Sequence, residues 1–144
     1  MRRLAVRIAS TAFAAAMTVG CGEGDNTPPP LLEMSNTYSY IIRPDDVPPH
    51  ARQDVHYNIQ ILDRKTRQPI EGGEGQLFAS NGEGAKTWDG LAYGPELGTY
   101  HAKLNFVVAG TWAAAIRFRR DSLRPLERID WMQEVLNEKP SQTP

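Results

Sequence analysis

Only one cysteine, Cys21, occurs among the 144 residues. No intrachain disulfide can brace the fold, and the class of small disulfide scaffolds is excluded. Charge of one sign is not in excess either: 16 Lys and Arg stand against 17 Asp and Glu, for a formal net charge of −1. Without a basic surplus there is no field to draw in a phosphate backbone, and no nucleic-acid partner is expected. Histidine is scarce, with three residues. No Ser, His and carboxylate stand in a recognisable hydrolase motif: Ser35, Ser39, Ser80 and Ser122 lack the context that activates a nucleophile. The glycine-rich stretches Glu71–Gly75 (EGGEG) and Asn81–Gly84 (NGEG) do not match a phosphate-cradling loop, which needs a strand before it and a helix start after it. They are expected to be flexible turns. No catalytic residue is therefore assigned.

The first 20 residues hold Arg2, Arg3 and Arg7 and no acid. The uncharged stretch Ile8 to Val19 follows, with 12 apolar and small residues. As a helix it would reach about 18 Å, short of the roughly 30 Å hydrocarbon core, so residues 1–20 are expected to be an export signal rather than a span. Thr18-Val19-Gly20-Cys21 resembles the lipobox of bacterial lipoproteins, with Thr18 departing from the usual Leu. That resemblance implies a lipid on Cys21, a mature chain exported and moored at a membrane on the periplasmic face or cell surface, and a reason for the lone cysteine. Residues 21–36, with Pro28, Pro29 and Pro30, are expected to be a stand-off tether, because consecutive prolines favour an extended helix of about 3.1 Å per residue.

From Tyr38 the residues alternate. Tyr38–Arg43 is aromatic and β-branched and is stopped by Pro44, as suits a first or edge strand. Val55, Tyr57, Ile59 and Ile61 lie on one face of the next strand, with His56 among those on the other. Gln76–Ala79 is a short strand candidate, and Asn-Gly at 81–82 signals a tight turn. Ala85–Trp88 and Leu91–Tyr93 follow as a second hairpin. In Thr99–Arg119, Tyr100, Leu104 and Phe106 precede Trp112, Ile116 and Phe118 at alternate positions, which predicts two long strands joined as an antiparallel hairpin. These ten apolar residues are the expected core. The fold class is all-β, an antiparallel β-sandwich over residues 37–119. Residues 120–144 are expected to hold a short C-terminal α-helix and a tail, because Leu126, Ile129, Met132 and Leu136 recur at helical spacing behind Ser122 and Pro125.

Three pieces of residues 53–119 carry a family resemblance. They are Leu62-Asp63 with the turn into Gln68-Pro69-Ile70; Leu97-Gly98-Thr99-Tyr100; and Ala109-Gly110-Thr111-Trp112. They resemble the FixH and YtkA-like domains of bacterial exported proteins, which implies an immunoglobulin-like sandwich and a place in oxidase maturation or metal handling at the membrane. Copper is the cofactor such a role implies. Its candidate ligands are His56 and His101, both on outward rows, with His50, Met34 and Met132 as further donors. The basic residues Arg117, Arg119, Arg120 and Arg124, joined by Arg128, stand out in a mature chain with more acids than bases. With Trp131 and Met132 they are the candidate partner contacts. The function expected is a non-catalytic, lipid-anchored accessory or binding subunit of a membrane-associated complex, respiratory or photosynthetic. The alternative is a copper carrier or oxidase assembly factor.

Overall fold

The computed structural model describes residues 27–140. The expected export signal (1–20), the lipidation site Cys21, the first residues of the tether and the last four residues lie outside the described residues. Nine strands follow one another: β1 (Leu31–Met34), β2 (Tyr38–Pro44), β3 (Asp54–Asp63), β4 (Glu74–Asn81), β5 (Lys86–Gly90), β6 (Ala92–Tyr93), β7 (Thr99–Asn105), β8 (Gly110–Arg119) and β9 (Glu127–Val135). They form two antiparallel sheets, in the orders β1-β2-β3-β7-β6 and β5-β4-β8-β9. Strands β2, β3, β7 and β6 facing β5, β4, β8 and β9 follow an immunoglobulin-like order, extended by the extra edge strand β1.

Alternation builds the core. Tyr40 and Ile42 of β2, Val55, Tyr57, Ile59 and Ile61 of β3, and Tyr100 and Leu104 of β7 point inward from the first sheet. Leu77 of β4 and Trp112, Ile116 and Phe118 of β8 meet them from the second, and Phe106 fills the seam between β7 and β8. Each such side chain contributes about 1.5–3 kcal/mol of hydrophobic stabilisation. Phe118 sits edge-on to Tyr38 at 5.1 Å and to Tyr100 at 5.2 Å between ring centroids. Phe106 and Trp112 form a second edge-to-face pair at 5.2 Å.

Four expectations are corrected. Residues 127–135 form β9 rather than a helix, and among the described residues there is none that is helical. Ile129 and Val135 face the core while Arg128, Asp130, Met132 and Glu134 face out. That two-residue alternation competes with the helical spacing of Leu126, Ile129, Met132 and Leu136. It prevails because β8 would otherwise leave its whole outer row of backbone groups unpaired. Ahead of β9, Asp121 accepts the Leu123 N–H on its carboxylate and the Arg124 N–H on its carbonyl in a turn. Second, the sandwich begins earlier than residue 37, since Leu31–Met34 of the expected tether pairs with β2.

Third, β7 and β8 are not a hairpin. β7 pairs with β3, β8 pairs with β4 and β9, and the Phe106–Ala109 connection crosses from one sheet to the other. Likewise β5 pairs with β4, but the chain changes sheets at Leu91 and β6 pairs with β7. Fourth, the EGGEG stretch is not a free turn: Glu74 and Gly75 belong to β4. A Cβ on Gly75 would collide with the Arg117 carbonyl, and one on Gly73 with the Phe118 ring. Glycine there lets two strands and an aromatic ring close up.

Both sides of the sandwich are stitched. On one, the free edge of β7 gives its Lys103 and Asn105 N–H groups to the Asp89 carboxylate (2.8 Å) and the Thr87 hydroxyl (3.3 Å) of β5. On the other, Leu136 runs parallel to His50, exchanging 2.8 Å hydrogen bonds with Pro49 and Ala51. There Asp46 takes His50 Nδ1 at 2.7 Å and Lys139 Nζ at 2.8 Å.

Two buried phenols differ in their partners. The Tyr100 hydroxyl donates to the Ile70 carbonyl (2.7 Å) and accepts from the Gly73 N–H (3.0 Å), pinning the β3–β4 connection. The Tyr57 hydroxyl is buried with no partner among the described residues, and burial pushes its ionisation well above the ordinary phenol range. Urea unfolding should therefore separate them. Tyr57→Phe should leave stability unchanged or raise it by up to about 1 kcal/mol, whereas Tyr100→Phe should cost about 1–2 kcal/mol by orphaning two backbone groups.

Candidate binding face on the second sheet

The outer face of β5-β4-β8-β9 is read from its register. One row across the strands is Lys86, Ser80, Ala113 and Met132; the next is Trp88, Phe78, Ala115 and Asp130. The third is Gly90, Gln76, Arg117 and Arg128. Trp88 and Met132 are each 67% exposed, a large cost for side chains of their size to leave in water. In the first two rows β8 carries only Ala113 and Ala115, while Lys86, Trp88 and Met132 rise at the edges. The result is a depression of about 400 Å³ along β4, with Phe78 in its floor, Trp88 and Lys86 on one wall and Arg117 and Arg128 on the other.

Arg117 and Arg128 stand directly opposite each other on β8 and β9. Like charges in that position repel. Both guanidinium groups lie over the single Phe78 ring, at 5.0 and 5.1 Å from its centroid, where the negative ring face attracts them. Asp130 takes Arg128 through both of its carboxylate oxygens, which raises the guanidinium pKa further. Arg117 has no carboxylate partner among the described residues, and neither does Lys86. The face thus offers two uncompensated cations, Arg117 over the Phe78 ring and Lys86 on the opposite wall.

The candidate partner contacts scatter. Arg117 and Met132 lie on this face, as does Arg119, which is bound to Glu74. Arg120 turns to the other sheet, where it meets Asp63 at 3.2 Å. Arg124 lines a separate cavity with Thr37, Asp63 and Glu127. Trp131 points away from Met132 and packs against the core, because neighbours on a strand face opposite sides. Sequence reasoning missed Phe78, Trp88 and Lys86. The signal was present in the alternation of Lys86, Trp88 and Gly90 against Gln76, Phe78 and Ser80 across the NGEG turn.

The copper candidates His56 and His101 are on the opposite sheet, while Met132 lies on this face. His56 faces Lys103 and His101 faces Asn58, so the two residues are diagonal neighbours across β3 and β7, at backbone positions roughly 7–8 Å apart by sheet geometry. His56 Nδ1 is engaged by Asp45 at 3.0 Å. Gly94 leaves the space beside which the His101 ring lies. His50 is held by Asp46 at the rim. Among the described residues no group of three or more His, Cys, Asp or Glu gathers at metal-binding spacing. Two imidazoles alone do not supply the three- or four-ligand set of exported copper sites.

Comparison with protein-family models, with curated proteins and with solved structures returned no match for this chain. Its function is argued from its own geometry.

Ile116 and Ile129 pair across β8 and β9 beneath the two arginines, so the strands should hold together without Arg117. Arg117→Gln should change unfolding free energy by no more than about 0.5 kcal/mol. Asp130→Asn, which leaves two facing cations with no counter-charge, should be the more destabilising of the two, and added salt should shrink the difference.

Proposed function

We propose that this protein is a non-catalytic binding subunit of a membrane-associated complex. It is moored through a lipid on Cys21 and presents the outer face of the second sheet to its partner. The observation that carries this reading is the exposed Trp88 and Met132 beside two arginines stacked on one phenylalanine. Tryptophan, methionine and arginine are the residue types enriched at protein contacts, and tryptophan and arginine dominate binding energy when a partner covers them. The rest of the fold supports presentation. The chain enters β1 at Leu31, which pairs with Ile42 near the end of β2. A membrane-side tether would thus reach the body through the first sheet, leaving the outer face of the second uncovered. The copper-carrier alternative draws no such support from the diagonal pair His56 and His101.

A photo-crosslinking side chain placed at Met132 or Trp88 of the full-length, membrane-anchored protein should give one discrete adduct in native membranes. The same side chain at Ile41, on the outward row of the first sheet, should give none. Equal adducts from both sheets, or none from either, would contradict the reading.

A further inference from the structure

The depression along β4 has a length, an axis and a charge pattern, and together they describe what fits it. Gln76, Phe78 and Ser80 form its floor. These alternate residues of one strand mark out about 14 Å at roughly 3.4 Å per residue. Arg117 stands beside Gln76 at one end, and Lys86 stands beside Ser80 at the other, on the opposite wall. Phe78 and Trp88 share the row between them. The two cations are the ones on this face that lack carboxylate partners among the described residues, whereas Arg128 and Arg119 already hold Asp130 and Glu74. Charge complementarity therefore calls for carboxylates at the two ends and an apolar group in the middle. An extended chain has the same 3.4 Å rise as the strand beneath it, so its residues i, i+2 and i+4 project to one side over the same length.

We infer that this groove binds an extended, acidic segment of the partner protein in which two carboxylates flank one apolar residue at alternate positions, acid-x-apolar-x-acid. The inference rests on the second sheet being the binding face and names the kind of segment that face takes. One carboxylate meets the Arg117 guanidinium at the edge turned away from Phe78, the other meets the Lys86 ammonium, and the apolar side chain covers the exposed Trp88, since the Phe78 ring already carries the two guanidinium groups. The guanidinium lies over the ring at 5.0 Å from its centroid, and its planar fork of donors matches a carboxylate, which favours Arg over Lys at that end.

The test uses full-length protein in mild detergent on an array of immobilised peptides built on Gly-Glu-Ser-Leu-Ser-Glu-Gly. Variants of the parent change both Glu to Gln, change Leu to Gly, or move the second Glu one residue closer. Oligogalacturonate and vesicles containing phosphatidylglycerol serve as acidic probes that are not peptides. The parent peptide should be retained at least tenfold better than each variant. Arg117→Glu and Lys86→Glu should each remove that preference, with Arg117→Gln intermediate, and Lys65→Glu, on the distant β3–β4 connection, should leave it intact. Thermal unfolding of the variants should match the parent protein.

Retention indifferent to acid content or spacing would overturn the inference, as would an unchanged preference in Arg117→Glu or tighter binding of oligogalacturonate or vesicles than of the peptide. Crosslinks from Met132 that persist undiminished in Arg117→Glu would also overturn it, while leaving the second sheet as the binding face.

Discussion

Strand β8 is paired on both edges and used on both faces, and the rest of the structure depends on that arrangement. Its inward residues Trp112, Ala114, Ile116 and Phe118 are fully buried in the seam between the sheets. Its outward residues Ala113, Ala115 and Arg117 form part of the candidate binding face. The side-chain period of a strand is two, so a slip of one residue would exchange the core for the surface. Burial of the Trp112 and Phe118 rings holds the register, and the same register sets Arg117 beside Gln76, within reach of the Phe78 ring, and opposite Arg128. The apolar seam is thus what positions the exposed cations.

The electrostatics follow from the same constraint. Most described ion pairs lie at the surface, where each contributes little to stability. Asp130 neutralises Arg128, Glu74 neutralises Arg119 and Asp63 engages Arg120. What remains on the second sheet is a pair of cations, Arg117 over the Phe78 ring and Lys86 on the opposite wall. Beneath the two arginines on the Phe78 ring, Ile116 and Ile129 pair across β8 and β9 and join the strands through apolar contact.

Much of the fold was legible because strands with one buried face announce themselves by alternation. Val55 to Ile61 and Trp112 to Phe118 read directly, and the sandwich class followed from them. Connectivity was less legible. Tyr100 to Phe106 and Trp112 to Phe118 look like the two arms of a hairpin, yet a short connection serves a crossover between stacked sheets as well as a turn within one, and no local signal separates the two. Residues 127–135 misled for a different reason. Leu126, Ile129, Met132 and Leu136 satisfy a helix, while Ile129, Trp131, Gln133 and Val135 satisfy a strand. The choice is made by the unpaired edge of β8, which is remote in sequence. The binding face was only partly legible. Arg117 and Met132 stood out by composition, but Phe78, Trp88 and Lys86 gain their meaning from the register of β4 on β5 and β8, a long-range property.

The most direct test of this account is the accessibility pattern along β9. Single cysteines introduced one at a time from position 128 to 135, in full-length protein with Cys21 replaced by Ser, would be labelled with a water-soluble maleimide. The account predicts a period of two: fast labelling at 128, 130, 132 and 134, and protection at 129, 131 and 135, with 133 intermediate. A period of three to four, or uniform labelling, would place a helix or a loose segment where β9 completes the sheet, and the binding face would lose its frame.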